Sequence, residues 1–175
     1  MKAGFPGTFG IGNGRGFAPV DVENCVVWLD GSDSNTLNLD SSNNVADWLS
    51  KAPGQLDASQ SSGSLQPNWV RSALNDKGSI NFDGGSELFA LDDTTFSGEF
   101  TVFWVADTGD LSAYRMILGI AAPDNNKLGI VSPGNFFVRI LNGGSSDTSV
   151  AHPAVDTSYI GTLKRDSANK VHLGS

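Results

Sequence analysis

From Val20 onward the chain is a succession of short apolar or alternating runs, interrupted at fairly regular intervals by clusters of Gly, Pro, Asn, Asp and Ser. That pattern belongs to antiparallel strands in a sandwich or barrel. It predicts strands at 25–29, 45–49, 79–82, 87–91, 100–106, 115–120, 127–131, 135–141, 159–164 and 171–173. Turn clusters such as Asp83-Gly84-Gly85-Ser86, Ser132-Pro133-Gly134-Asn135 and Asn142-Gly143-Gly144-Ser145-Ser146 separate them, rich in residues that tolerate positive φ or pre-set a turn. The strongest run is 100–106. Phe100, Val102, Trp104 and Ala106 fall on one face, Thr101, Phe103 and Val105 on the other. With both faces largely apolar, it predicts a strand in the middle of a sheet, covered on one side by an opposing sheet and on the other by loops or a partner. The best helical stretch, 68–74, amounts to a turn or two. No internal repeat points to a propeller or solenoid.

The segment before Val20 breaks this pattern. Residues 1–19 hold six glycines and two prolines with Phe5, Phe9, Ile11 and Phe17 spaced among them, and should lack regular structure. The run Gly10-Ile11-Gly12-Asn13-Gly14-Arg15-Gly16 has the look of a phosphate-binding loop, but no strand precedes it and no helix follows, as a dinucleotide site requires. The expectation is an extended arm whose apolar side chains pack on a neighbouring subunit, followed by one β-sandwich domain over 20–175.

Composition sharpens the picture. Charged residues are 17% of the chain, while Gly, Ser, Thr and Asn together supply 65 of its 175 residues, which suits short strands and many turns. The net charge of −8, with eleven scattered basic residues, argues against nucleic acid and against anionic membrane surfaces. No apolar run approaches the roughly 20 residues that span a bilayer, so no membrane insertion is expected. The single cysteine, Cys25, cannot form an internal disulfide and reads as a small core residue. Residues 1–20 contain no apolar signal region. A particle that assembles inside a cell and leaves by lysis fits that combination, and so does a secreted chain whose signal has been removed.

Taken in order, several pieces of 24–107 resemble the concanavalin A-like, laminin-G-like domains of phage tail, fibre and other virion proteins and of bacterial surface proteins. They are Val27-Trp28-Leu29-Asp30-Gly31-Ser32-Asp33, Val45-Ala46-Asp47-Trp48, Gln66-Pro67-Asn68-Trp69, Ser79-Ile80-Asn81-Phe82-Asp83-Gly84 with Leu88, and Gly98 to Val105. Further on, 159–173 looks like the family's late hairpin, with a charged turn joining two strands. The resemblance implies an all-β, two-sheet antiparallel jelly-roll sandwich. Family members usually continue with an Asn-Gly turn and further strands, whereas this sequence stops at Ser175. The sandwich is then continued by further chain, completed by another subunit, or of a shorter type.

The chemistry-bearing residues point away from catalysis. A glycosidase needs two carboxylates flanking the scissile bond, but Glu23, Glu87 and Glu99 are the only glutamates, and none has a carboxylate two positions away in an apolar strand. His152 and His172 are the only histidines, no Gly-x-Ser-x-Gly elbow occurs, and one Cys with two separated His does not make a zinc site. Calcium is the one cofactor left to weigh, on Asp107 and Asp110. The oxygen-rich Asp30-Gly31-Ser32-Asp33-Ser34-Asn35 departs from a calcium loop in its glycine position and lacks the distal Glu, so it reads as a turn held by Asx hydrogen bonds. For sugar binding, which uses an exposed ring beside planar polar groups, Trp69, Tyr114, Asp124 and Asn125 are the candidates, while Trp28, Trp48 and Trp104 read as core.

These readings converge on a non-enzymatic structural or binding protein of a phage virion, in capsid decoration, tail or fibre, partnered by itself, by other virion proteins and by a cell-surface glycan. The alternatives are a free-standing bacterial carbohydrate-binding or adhesion module and a glycan hydrolase.

Overall fold

A computed structural model describes residues 16, 18–54, 56–91, 99–107, 109, 115–119, 127–131, 135–140, 146–151, 157–166 and 171–174. The arm residues Phe5, Phe9, Ile11 and Phe17, the proposed calcium ligand Asp110, and the ligand candidates Tyr114, Asp124 and Asn125 lie outside them. The described chain is all-β, in several antiparallel sheets, with only 3-10 turns at Pro19–Asp21, Ser34–Thr36 and Gly63–Leu65 beside the strands. It divides into two compact units, residues 1–94 and 95–175.

In the first unit, β1 (Leu37–Leu39), β2 (Val45–Trp48), β3 (Ala58–Ser59) and β6 (Ala90–Leu91) form one sheet in that order, and β4 (Asn68–Leu74) pairs with β5 (Lys77–Asn81). An isolated bridge, Asn44 to Asn68, ties β4 to the start of β2, with Val45 N donating to Pro67 O at 2.9 Å. Val45, Ala52, Ala58 and Pro67 are the buried centre. Around it Trp48 packs on Phe89 with ring centroids 6.0 Å apart, and Phe82 meets Phe89 edge-on at 5.9 Å.

The strand expected at 87–91 is reduced to Ala90–Leu91, and two further expectations fail in this unit. Residues 68–74 form a strand, not a helical turn, because Asn75 and Asp76 both adopt left-handed backbone (φ 48° and 59°) and close a two-residue hairpin on the register Leu74 to Lys77. Residues 25–29 do not form a strand. Asn24 before them is left-handed (φ 61°), and Trp28 N donates to the Ser50 hydroxyl at 3.1 Å in place of a ladder partner. Strands β1 and β3 were not anticipated, being too short to show periodicity.

The second unit holds longer ladders. β8 (Arg115–Gly119), β9 (Lys127–Val131), β10 (Asn135–Ile140) and β11 (Ser146–Ala151) make a sheet in the order β11-β10-β9-β8. The polar sequence of β11 concealed it, although it pairs with β10 from Asn135–Ala151 to Ile140–Ser146. β7 (Phe100–Ala106) pairs with β12 (Tyr159–Arg165) over seven consecutive residue pairs, and β12 with β13 (Val171–Gly174). In the order β13-β12-β7, β12 is central and β7 lies at the edge among the described strands, not in the middle as its two apolar faces predict.

Candidate functional site

The register of β7 on β12 sorts their side chains into two faces. Inward are the pairs Tyr159–Ala106, Gly161–Trp104, Leu163–Val102 and Arg165–Phe100, and Tyr159, Gly161, Leu163 and Arg165 are all buried. Gly161 is required there: the Trp104 ring lies directly against it, where a Cβ would collide with the indole. Burial pushes the Tyr159 hydroxyl above its ordinary pKa, the neighbouring Trp104 acts in the opposite sense, and the charge of Asp107 adds to the rise.

Outward the same pairing sets Ile160 opposite Val105, Thr162 opposite Phe103 and Lys164 opposite Thr101. Phe103 is 68% exposed, Ile160 64% and Val105 61%, the three highest values among the exposed large apolar side chains of the described residues. They form one contiguous patch, since directly opposed and diagonal positions on a sheet face are neighbours. Beyond the ends of β7, Glu99 and Asp107 are exposed as well. Along the other margin, His172 sits opposite Lys164, and its Nε2 lies 3.0 Å from the Asp166 carboxylate. The result is an apolar strip with a polar, mainly acidic border. Such a strip suits binding: water leaves an apolar patch at a gain, while the border fixes orientation.

The oxygen-rich turn of the first unit is arranged differently. Asp30 Oδ1 accepts from Ser32 N (3.0 Å) and Ser32 Oγ (2.6 Å), and Asp33 Oδ1 accepts from Asn35 N (3.2 Å) and Nδ2 (3.0 Å). These are Asx hydrogen bonds of the expected kind. The second oxygens of both carboxylates converge on the Lys51 ammonium, at 3.0 Å from Asp30 and 3.1 Å from Asp33, and that ammonium also stands 4.5 Å over the Trp28 ring. A tethered cation therefore occupies the point where the two acids meet. Burial pushes the Asp30 carboxyl up, but bonds from Ser32 and Lys51 outweigh it and leave it below its ordinary value. The bond from Lys51 lowers Asp33, and the bond to Asp30 raises Lys51.

Trp69 belongs to the same construction. It stands in β4 with its Nε1 donating to Gly31 O at 3.0 Å, and its ring packs on Gly78, where a Cβ would fall 2.7 Å from Nε1. A Cβ at Gly31 would in turn meet the Trp48 ring at 3.5 Å. Trp28, Trp48 and Trp69 thus all serve to seat one turn, and the polar atom of Trp69 is engaged inside the unit. Asp107 is exposed just past β7, at the border of the apolar strip. Cys25 is half-buried, its Sγ 3.6 Å from Val27 O.

Sequence reasoning passed over Lys51, whose partners lie 18 and 21 residues away with no spacing to betray them. It also named neither Phe103 nor Ile160 as a site residue, although the two-faced alternation of 100–106 carried the signal. Among the described residues no group of His, Cys, Asp and Glu is placed to hold a metal ion, and no helix is long and apolar enough to cross a membrane. No family model, no curated protein and no solved structure matches the chain.

Proposed function

We propose that this chain is a non-catalytic assembly and binding protein of a phage particle, built on a concanavalin A-like antiparallel scaffold, and that the outer face of β7 and β12 is its binding surface. The observation that carries the reading is the exposure of Phe103, Val105 and Ile160 side by side on one regular sheet face. Soluble chains seldom leave such a patch uncovered without a use for it. Covering Phe103 alone is worth roughly 2 kcal/mol. The low charged fraction and the apolar, Gly-rich arm agree with a chain that associates with copies of itself and with other particle proteins.

The test is association. Light scattering over a wide concentration range should show the unaltered chain forming oligomers, and Phe103→Ser should shift it to monomer with an unchanged circular dichroism spectrum. A chain that stays monomeric, and does not sediment with particles, would remove the reading.

A second reading rests on the polar margin of the same face. An exposed ring flanked by Thr101, Lys164 and the His172–Asp166 pair has the composition of a sugar-binding surface. It makes the protein a free-standing bacterial carbohydrate-binding module, and glycan array binding that Phe103→Ser abolishes would establish it. Silence across a broad array counts against it.

A further inference from the structure

We infer that the occupant of the β7–β12 outer face is the N-terminal arm, residues 2–17, of a second copy, so that copies join arm to face. The inference rests on the assembly reading above and adds what fills the surface. Face and arm match in two independent respects. The face has an apolar centre, Phe103, Val105 and Ile160, and the arm carries Phe5, Phe9, Ile11 and Phe17 with polar or small residues between. Among the described residues, the border of the face holds exposed Glu99 and Asp107 beyond the two ends of β7, with Lys164 as its one lysine and Asp166 paired with His172. The arm is the converse: Lys2 and Arg15 are its only charged residues, and no acid occurs before Asp21. Outside the arm the chain carries nine bases against 19 acids, so the arm is basic where the remainder is acidic. Charge of opposite sign at both ends of an apolar strip sets orientation as well as affinity.

Length agrees. From Glu99 to Asp107 the outer row of β7 spans about 26 Å at ~3.3 Å per residue. From Lys2 to Arg15 the arm reaches at most about 45 Å fully extended. It can therefore cover the strip with slack for bends at its glycines and at Pro6. When two copies exchange arms reciprocally the contact closes as a two-fold dimer, and when each arm goes on to a further copy it is heterologous and propagates into rings or open arrays. A particle component needs that kind of contact.

Two full-length variants and their mixture test this. The arm variant carries Phe5→Ser, Phe9→Ser, Ile11→Ser and Phe17→Ser; the face variant carries Phe103→Ser and Ile160→Thr. Both should keep the circular dichroism spectrum of the unaltered chain. In sedimentation velocity each alone should be monomeric at concentrations where the unaltered chain is assembled. Mixed one to one they should form a dimer and nothing larger, because only one arm and one face remain competent to meet. A third variant, Glu99→Lys with Asp107→Lys, should weaken assembly by about tenfold or more through the border alone. If the mixture stays monomeric, or the arm variant assembles as the unaltered chain does, the arm is not the occupant while the assembly reading stands; if the face variant assembles as the unaltered chain does, the β7–β12 face is not the binding surface and both readings fall. If the arm variant assembles and the face variant does not, the face meets its own copy instead. An unaltered chain that is monomeric throughout overturns the assembly reading itself.

Discussion

The two units solve the same problem, closing short antiparallel strands, by opposite means. In the first, every strand but β4 and β5 has four residues or fewer, and carboxylates do much of the closing. Asp40 accepts from Ser42 N and Asn44 N at 2.7 and 2.9 Å, Asp57 from Ser50 N at 2.7 Å, and Asp30 and Asp33 share Lys51. In the second, β7 and β12 run together for seven pairs, and the inward row is closed by apolar packing of Trp104 on Gly161 beside Tyr159 and Leu163. A unit held by local polar turns needs few long strands and leaves its stability in charged groups. A unit held by a long ladder has a second sheet face to offer, and that is where the exposed apolar strip lies.

The contrast can be broken most forcefully at the two glycines that face tryptophans. Gly161→Ala should cost about 3 kcal/mol, the upper end for overpacking, because the new Cβ would overlap the Trp104 ring directly. Gly78→Ala should cost less, about 1–2 kcal/mol, because its Cβ would fall 2.7 Å from the Trp69 ring, a shallower overlap than at Gly161. Chemical denaturation of both variants beside the unaltered chain checks the order, and equal losses would mean the two rings are equally confined.

Lys51→Met should come next. It leaves Asp30 and Asp33 facing each other without their cation, and it should lower the melting temperature of the first unit by a few degrees, with strong dependence on salt. Calorimetry showing no change would mean that water serves the two carboxylates as well as Lys51 does. Asp76→Gly should act in the other direction, stabilising by about 0.5 kcal/mol, since it relieves a left-handed backbone at φ 59° in the β4–β5 turn.

The smallest effect is in pH, and its sign differs between the units. The hydrogen bond from Asn44 N lowers Asp40, as the bonds from Lys51 and Ser32 lower Asp33 and Asp30. Stability from a lowered carboxyl is present above its unfolded pKa and is lost as pH falls through the folded value. The first unit should therefore loosen on acidification, below about pH 4. Tyr159 is raised by burial, so its contribution is present below the unfolded pKa and is lost as pH rises through the folded value. The second unit should loosen above about pH 10. Lys51, also raised, adds an alkaline loss to the first unit. Tryptophan fluorescence against pH, with Trp104 replaced by Phe to isolate the first unit, separates these, and a first unit indifferent to acid would contradict the role given to its carboxylates.

How legible the molecule was in its sequence follows the same division. Strands β7, β9, β10 and β12 stand where alternation places them, to within a residue at the ends, because long ladders need period-two sequences. In the first unit the pattern misleads. Residues 25–29 are apolar without pairing, and 68–74 pair without alternating cleanly, because Asn75-Asp76 is a weaker hairpin signal than Asn-Gly. The oxygen-rich turn was readable as Asx-bonded from its own residues, but Lys51 was not, since long-range pairing leaves no local trace. For the strip, the sequence announced an apolar second face on 100–106, and only the register of β12 showed that Ile160 extends it.

The account stands most directly on whether Phe103 is covered when copies associate. Hydroxyl-radical footprinting of the full chain, dilute and concentrated, reads this at the ring itself. Strong labelling of Phe103 in the monomer and several-fold protection in the assembled form is the expected result. Equal labelling in both would show that the outer face of β7 and β12 stays open in the assembly, and would contradict its assignment as the binding surface.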